Sequence, residues 1–193
     1  MLSVILGQED VCSAAVTVMC SGNEDDWGRK DTFETRLIPA MTFNCHGTIT
    51  GWRVAGTVGQ GTKFPRVQIW RRNTTMSEGY YMSQSISMAG TVSSMEVDCA
   101  IFNHNLDEGA RVSVQPGDIL GIELPPSNDQ AFDILYKTSA PLNYVYRKQL
   151  PATINLQNSD LFAILKDQPL IDFNIIPGKK NIYYLFLVSD SFI

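Results

Sequence analysis

Hydrophobic and polar residues alternate with a period of two along much of the chain, most clearly over residues 110–126. The alternating apolar residues of this stretch are Val112, Val114, Leu120, Ile122 and Leu124. Alternation on both sides of the turn dipeptide Pro116-Gly117 predicts a β-hairpin with one buried face. Proline fixes φ for the second position of the turn, and glycine supplies the positive φ that a type II turn needs next. Pro125 and Pro126 then end the second strand, because proline cannot donate to a strand ladder.

The same pattern predicts nine short strands separated by turn sequences such as Asn73-Thr74-Thr75. They cover residues 36–44, 47–57, 65–71, 79–88, 91–98, 110–115, 118–124, 131–137 and 142–147. Short strands about 10–15 residues apart, without an amphipathic helix, predict an all-β fold of two packed antiparallel sheets. An immunoglobulin-like and a jelly-roll strand order are both open, and the length of the 36–147 region favours the jelly-roll-like sandwich.

A polar, turn-rich stretch at 21–35 marks a boundary in the chain. We therefore expect an N-terminal segment over 1–30, a β-sandwich domain over 31–166, and a C-terminal extension or final strand over 167–193. The apolar residues of 151–166 predict either a further hairpin or a helical turn, and residues 175–180 predict a turn. Alternation places Val67 with Ile69 on one strand face, and Phe132 with Ile134 and Tyr136 opposite Asp133 and Leu135.

Composition limits the class of protein further. The 193 residues are 44% hydrophobic, enough for a core, and only 18% charged. The formal net charge is −5, from 15 basic and 20 acidic residues, and the basic clusters are as short as Arg71-Arg72 and Lys179-Lys180. Nucleic-acid binding needs a concentrated basic footprint, so this class is excluded.

The two ends of the chain bear on secretion and membrane attachment. A secretory signal begins with a basic region, which the start of the chain lacks, so we expect a truncated signal or an interior piece of a longer chain. The apolar tail over 181–193 is too short to cross a bilayer, which takes roughly 20 residues. We therefore expect no direct membrane insertion by this segment.

The cysteines are four in number, namely Cys12, Cys20, Cys45 and Cys99. In a secreted protein an even number indicates two disulfides, with three possible connectivities. We favour Cys45–Cys99 with a small Cys12–Cys20 loop, because Cys45 and Cys99 both lie at predicted strand ends. Four free thiols in a cytosolic protein are the alternative.

Several segments in a fixed order carry a resemblance to a known group of proteins. They are TRLIPAMTFNC at 35–45, GTITG at 47–51, FPRVQIWR at 64–71, VSVQPGDILGIELPP at 112–126 and NYVY at 143–146. Over about residues 30–160 the chain resembles an uncharacterised extracellular β-sandwich module abundant in predicted sponge secreted and receptor-like proteins. The resemblance implies an extracellular location and a Cys45–Cys99 bridge. It implies no catalytic residue and no established ligand.

Two stretches of the sequence resemble phosphate or metal sites, and each also fits a simpler structural role. The glycine-rich stretch 56–63 breaks the Gly-Lys-Ser/Thr order of a phosphate loop and precedes a strand pattern, so it predicts a hairpin loop. His46 and His104 with Cys45 and Cys99 offer zinc-type ligands. However, Cys45 and His46 are adjacent on a strand and point to opposite faces. Disulfide cysteines also hold no thiolate for nucleophilic catalysis. We therefore expect no cofactor and no metal.

Carboxylates raise two further possibilities, calcium binding and glycoside hydrolysis. The acidic candidates are Glu24, Asp25, Asp26, Asp129 and Asp133. None of them follows the EF-hand spacing for calcium, and hydrolysis needs two carboxylates across one cleft, which sequence cannot show.

Surface chemistry supplies the remaining candidates. Asn73 begins the one Asn-x-Ser/Thr sequon and lies in a predicted turn, so it is a candidate glycosylation site. Candidate ligand-binding aromatics are Trp27, Trp70, Tyr80 and Tyr81, whose rings could stack on sugars or anchor a protein partner. For Trp70 the alternative is that its ring fills the sandwich core.

These observations predict an extracellular, non-enzymatic recognition or adhesion module, receptor-ectodomain-like, with loops presenting the binding surface. The expected partner is a protein or glycan at the cell surface or in the extracellular matrix. The alternative is a carbohydrate-binding jelly roll, lectin-like and with or without Ca²⁺. A glycoside hydrolase is the remote alternative.

Overall fold

The computed structural model describes residues 12, 18, 20, 25–26, 34–96, 99–126, 129–146, 151–158 and 160–178. Within them the fold is all-β, as the alternation predicts: two antiparallel sheets pack as a sandwich, and one curls into a half-barrel.

The described residues form thirteen strands and one 3₁₀ turn, Glu108–Ala110. The strands are β1 (Asp25–Asp26), β2 (Glu34–Thr42), β3 (Gly47–Val58), β4 (Arg66–Asn73), β5 (Gly79–Ser87), β6 (Thr91–Glu96), β7 (Cys99–Asn105), β8 (Val112–Val114), β9 (Ile119–Leu124), β10 (Phe132–Tyr146), β11 (Thr153–Asn155), β12 (Phe162–Pro169) and β13 (Ile171–Pro177). The two strands predicted over 131–137 and 142–147 are one strand, β10.

The first sheet has the order β11-β5-β4-β9-β2-β10, and β12 and β1 also pair with β10. The second sheet is built around β3, which pairs with β7, β8, β13 and the first residues of β10. Phe132–Ile134 of β10 pair with β3, whereas its residues 144–146 pair with β2. One long strand therefore belongs to both sheets and joins them.

The core lies between the sheets and contains the residues that alternation assigns to it. Val67 and Ile69 each keep 1% of their surface exposed, and Trp52 and Phe132 are as deeply buried. Phe102 stacks on Phe132 with ring centroids 4.4 Å apart. Burial of each such side chain stabilises the fold by about 1.5–3 kcal/mol relative to exposure.

The predicted faces of β10 are confirmed. Phe132 and Ile134 belong to the central core, and Tyr136 packs against it. Leu135 points the other way, into a small cluster with Ala55 and Leu170 on the outside of the second sheet.

The turn at Pro116-Gly117 is confirmed, but the hairpin is wrong. Gly117 has φ +89°, and the Asp118 amide donates to the Gln115 carbonyl over 3.1 Å, as in a type II turn. However, β8 pairs with β3 of the second sheet, and β9 pairs with β2 and β4 of the first. The turn carries the chain from one sheet to the other, which alternation cannot reveal because both strands bury one face in either arrangement.

The loop at 59–65 is likewise a crossover and not the predicted hairpin loop, because it joins β3 of the second sheet to β4 of the first. It is held by backbone hydrogen bonds: the amides of Gly59 and Lys63 donate to the carbonyls of Ala131 and Asp129 over 2.8 and 2.7 Å.

The C-terminal strands continue the sandwich past the expected boundary at 166, which falls inside β12. β13 pairs with β3 as far as Pro177, so the turn predicted at 175–180 is wrong for residues 175–177. β11 pairs with β5 and β12 with β10, so residues 151–166 do not form a hairpin of their own. In the part of the chain that the structure describes, no helix has the length and apolarity to cross a membrane.

Both predicted disulfide pairings are wrong, although all four cysteines are bridged. Cys12 bonds Cys45 and Cys20 bonds Cys99, with Cα–Cα distances of 4.9 and 5.7 Å.

Cys45 and Cys99 cannot bond each other because they lie near opposite ends of β3. Cys45 lies just before the start of β3, whereas Cys99 begins β7, whose next residue Ala100 pairs with Gly56 near the other end of β3. Nine residues of strand separate these points by about 30 Å, far beyond the reach of one bridge. Cys12 instead bonds Cys45 beside the start of β3, and Cys20 bonds Cys99 beside its other end. Closing loops of 33 and 79 positions stabilises the fold by about 4 kcal/mol each in the chain-entropy model.

Candidate functional site

A cleft of about 520 Å³ opens on the outer face of the first sheet, and we refer to it as the tyrosine cleft. Its walls come from β2, the β4–β5 hairpin, β10 and the residue that follows β11. The lining residues are Pro39, Ala40, Arg72, Glu78, Tyr80, Tyr144 and Leu156. The volume lies within the range of about 300–1,000 Å³ typical of small-ligand sites.

A third hydrophobic cluster of Leu37, Trp70, Ile119 and Ile154 supports the cleft, and Tyr80, Tyr144 and Leu156 pack against it. This cluster lies outside the main core because β11 and the turn after it cover part of the outer sheet face. The cleft walls therefore rest on packed side chains, so the positions of the two tyrosine rings are fixed by packing.

Trp70 is part of this support and does not face a ligand, which corrects its assignment as a binding aromatic. Its ring is 0% exposed, and Nε1 donates to Gln68 Oε1 over 2.9 Å. Gly121 of β9 makes room for it: a Cβ there would lie 2.6 Å from Nε1. The ring is buried as the alternative role requires, but it lies in this outer cluster and not in the sandwich core.

Tyr80 and Tyr81 separate because neighbouring residues on a strand face opposite ways. Tyr80 is half-buried and lines the cleft. Tyr81 is 37% exposed and lies beside Arg71 on the other face. Of the four predicted ligand-binding aromatics, the structure places Tyr80 in the cleft, and Trp27 lies outside the described residues. Tyr144, a second cleft aromatic, lies in the predicted strand 142–147 and is not one of the four predicted aromatics.

Two charged side chains of opposite sign line the cleft, Arg72 and Glu78, and both are exposed. Among the described residues neither has an ion-pair partner. Glu78 has φ +52°, an uncommon conformation for a residue with a side chain. Its carbonyl accepts from the Leu156 amide over 3.2 Å, which attaches the hairpin turn to the residue that follows β11.

The neighbouring arginine is neutralised within the protein. Asp118, 0% exposed, accepts from Arg71 Nε over 3.0 Å, from Arg71 Nη2 over 2.9 Å and from the Gln115 amide over 3.0 Å. The hydrogen bond to Asp118 is the main cause that raises the pKa of the Arg71 guanidinium, and burial opposes it. Arg71 therefore braces the sheet crossover, and sequence reasoning missed this role because the two residues are 47 positions apart.

A polar row runs across the same outer face beyond Trp70. Glu123 Oε2 accepts from Gln68 Nε2 over 2.7 Å, and Arg66 lies close enough to act on its charge. Burial raises the pKa of the Glu123 carboxyl, against the lowering effects of Arg66 and of the Gln68 bond. Thr35 Oγ1 is buried nearby on β2, which pairs with β9 at this position, and it has no hydrogen-bond partner among the described residues.

Asn73 lies at the end of β4 in the turn that leads to β5. Its Oδ1 accepts from the amide and the hydroxyl of Thr75 over 3.0 and 2.7 Å. Both bonds use Oδ1, so Nδ2, the atom that carries an N-linked glycan, takes no part in them. As the neighbour of Arg72 on the strand, Asn73 faces away from the cleft.

The other predicted chemistry lies away from the cleft. His104 stacks on Trp52 with centroids 4.7 Å apart, and burial lowers its pKa, while the charge of Asp107 opposes that effect. Asp129 pairs with Lys63 over 2.7 Å on the surface, and Asp133 is buried. Asp25 and Asp26 form β1, and Glu24 lies outside the described residues. No group of three metal-ligating side chains occurs in the described part of the chain.

Comparison with known proteins identifies no relative: no protein-family model matches the chain, and neither a curated protein nor a solved structure matches it significantly.

Proposed function

We propose that this protein is an extracellular, non-enzymatic recognition module, of the adhesion or receptor-ectodomain kind, and that the tyrosine cleft is its binding site. The observation that carries the proposal is the cleft itself: two tyrosine rings supported by a packed cluster, beside an arginine and a glutamate that the described protein leaves unpaired. Unpaired charge in a concave, partly apolar site is typical of a surface that receives a ligand.

Two observations support an extracellular location. Both disulfides join segments far apart in sequence, and bridges of this kind persist in oxidising compartments. Asn73 presents its sequon on an exposed turn with Nδ2 outside the turn's own hydrogen bonds, as an N-linked glycan requires. A glycan there would leave the cleft open, because Asn73 faces the other way.

Carbohydrate binding is the second candidate, and the tyrosines favour it. A tyrosine ring face carries partial negative charge and attracts the C–H groups of a sugar ring, while its hydroxyl can hydrogen-bond. Hydrolysis of a glycoside would need a second carboxylate facing Glu78. The test of that alternative is activity on chromogenic glycosides.

Binding of fluorescent tetramers of the intact, oxidised chain to animal cell surfaces tests the proposal. Tyr80→Ala should abolish staining, whereas Tyr81→Ala, its neighbour on the opposite face, should leave it unchanged. Melting temperatures of the two variants control for folding. Equal staining by both variants, or no staining by the unaltered tetramer, would contradict binding through the cleft.

Expression through a secretory pathway tests the location. The chain should carry a glycan that Asn73→Gln removes, and mapping of disulfide-linked peptides should find the pairs Cys12–Cys45 and Cys20–Cys99. Free thiols in the secreted protein would contradict an extracellular assignment.

A further inference from the structure

Resting on the proposed function, we propose that the tyrosine cleft binds an acidic saccharide residue, a uronic or sialic acid, through a carboxylate placed on Arg72. The proposal joins three features of one site: two ring faces, and a guanidinium and a carboxylate that have no ion-pair partner among the described residues.

Arg72 defines the charge of the ligand. Its neighbour Arg71 is already engaged by two oxygens of Asp118, whereas Arg72 is exposed, lines the cleft and has no ion-pair partner among the described residues. A guanidinium presents paired N–H donors that match the two oxygens of a carboxylate, a geometry that an ammonium group does not offer. The unmet donors of Arg72 therefore favour a ligand with a carboxylate over a neutral one.

Tyr80 and Tyr144 define the body of the ligand. Both are half-buried, so each offers part of a ring to the cleft while the rest is held by the cluster around Trp70. Together with Pro39 and Leu156 they form a surface that suits the C–H face of a pyranose. The cleft volume of about 520 Å³ accommodates one or two sugar residues.

Glu78 defines the orientation. Its carboxylate cannot lie next to the carboxylate of the ligand without repulsion, so the acidic group must lie at Arg72 and the hydroxyl groups must face Glu78. A carboxylate accepts hydrogen bonds from hydroxyl groups strongly. The backbone bond from Leu156 to Glu78 holds this acceptor on its wall of the cleft.

Isothermal titration calorimetry with the intact, oxidised chain tests the proposal. The ligands are the methyl glycosides of glucuronic acid and N-acetylneuraminic acid, and the matched control is the methyl ester of each, which keeps the shape and removes the charge. The acids should bind at least about 10-fold more tightly than the esters, as expected for hydrogen bonds to a charged group.

Variants locate the effect. Arg72→Gln should weaken binding of the acids about 10-fold or more while leaving the esters nearly unchanged, and Arg111→Gln, an exposed arginine outside the cleft, should change neither. Tyr80→Phe should retain binding because the ring remains, whereas Tyr80→Ala should lose acids and esters alike. Equal binding of acids and esters, or unchanged binding by Arg72→Gln, would overturn the proposal.

The experiments distinguish a wrong ligand class from a wrong proposed function. If no saccharide binds but cell staining still depends on Tyr80, the cleft recognises another ligand, such as a peptide with a free carboxylate, and only the acidic saccharide is wrong. If staining is also independent of Tyr80, the cleft is not the recognition site.

Discussion

Replacing Asp118 by alanine tests the ion pair that braces the crossover between the two sheets. The change removes two hydrogen bonds from Arg71 and one from the Gln115 amide. Breaking a buried pair costs about 3–5 kcal/mol, because the remaining charge is left without a partner. The Arg71 side chain keeps 22% of its surface exposed and can be partly rehydrated, so we expect the lower end, about 3 kcal/mol.

At about 2–4 °C per kcal/mol for a chain of this size, the melting temperature should fall by roughly 6–12 °C. Thermal unfolding followed by circular dichroism, with the disulfides intact, measures this shift. Asp118→Asn keeps an acceptor for the Gln115 amide and loses the charge, so its effect should be intermediate.

The chain offers a matched control in the Lys63–Asp129 pair. Its contact is 2.7 Å, no longer than that of Arg71 with Asp118, but its side chains are 62% and 42% exposed. Exposed pairs contribute about 0–1 kcal/mol, so Lys63→Ala should lower the melting temperature by no more than about 4 °C. Equal effects of Asp118→Ala and Lys63→Ala would refute the argument that burial sets the contribution of the pair.

Three further predictions concern single positions. Gly117→Val should lower the free energy of unfolding, measured in urea, by about 1–2 kcal/mol. The positive φ alone causes this loss, because a Cβ at this position meets no atom within 4 Å. Gly117→Asn should lower the free energy of unfolding less, and equal losses for the two variants would indicate a different turn. Gly121→Ala should lower the free energy of unfolding by about 1–3 kcal/mol and alter the fluorescence of Trp70, because the new methyl group would lie 2.6 Å from Trp70 Nε1. An unchanged emission spectrum would contradict this packing. Glu123→Gln should become more stable than the unaltered protein as the pH rises above about 4.5. Because burial raises the pKa of Glu123 in the folded protein, the unfolded chain loses this proton at a lower pH than the folded protein does. The unaltered protein therefore loses stability as the pH rises, and the glutamine variant, which does not titrate there, does not. A stability difference that is constant between pH 4 and pH 7 would show that burial does not perturb this carboxyl.

Local patterns in the sequence determined the strands and their faces. Period-two alternation identifies Val67, Ile69, Phe132 and Ile134 as core residues, because the pleat of a strand sends neighbouring side chains to opposite sides whatever its partner. The turn at Gly117 is equally local, since a positive φ depends on the residue itself and its neighbours.

The candidate site was only partly predictable, because a local pattern does not show which strands pair or what covers their outer face. The aromatic pair Tyr80-Tyr81 is visible in the sequence, but strand pairing decides which ring enters the cleft. Trp70 lies on the outer face of its strand, as alternation from Ile69 requires, but residues distant in sequence form a cluster over that face and bury the ring.

Which strands pair, and which cysteines meet, was decided by the tertiary structure alone. The strands on either side of Gly117 entered different sheets. Cys45 and Cys99 came to lie near opposite ends of β3, so each bonded a cysteine of the N-terminal segment. An alternating strand buries its apolar face equally well in a hairpin or in either layer of a sandwich. The choice depends on the combined packing of the two sheets, a sum over contacts distant in sequence that no local pattern contains.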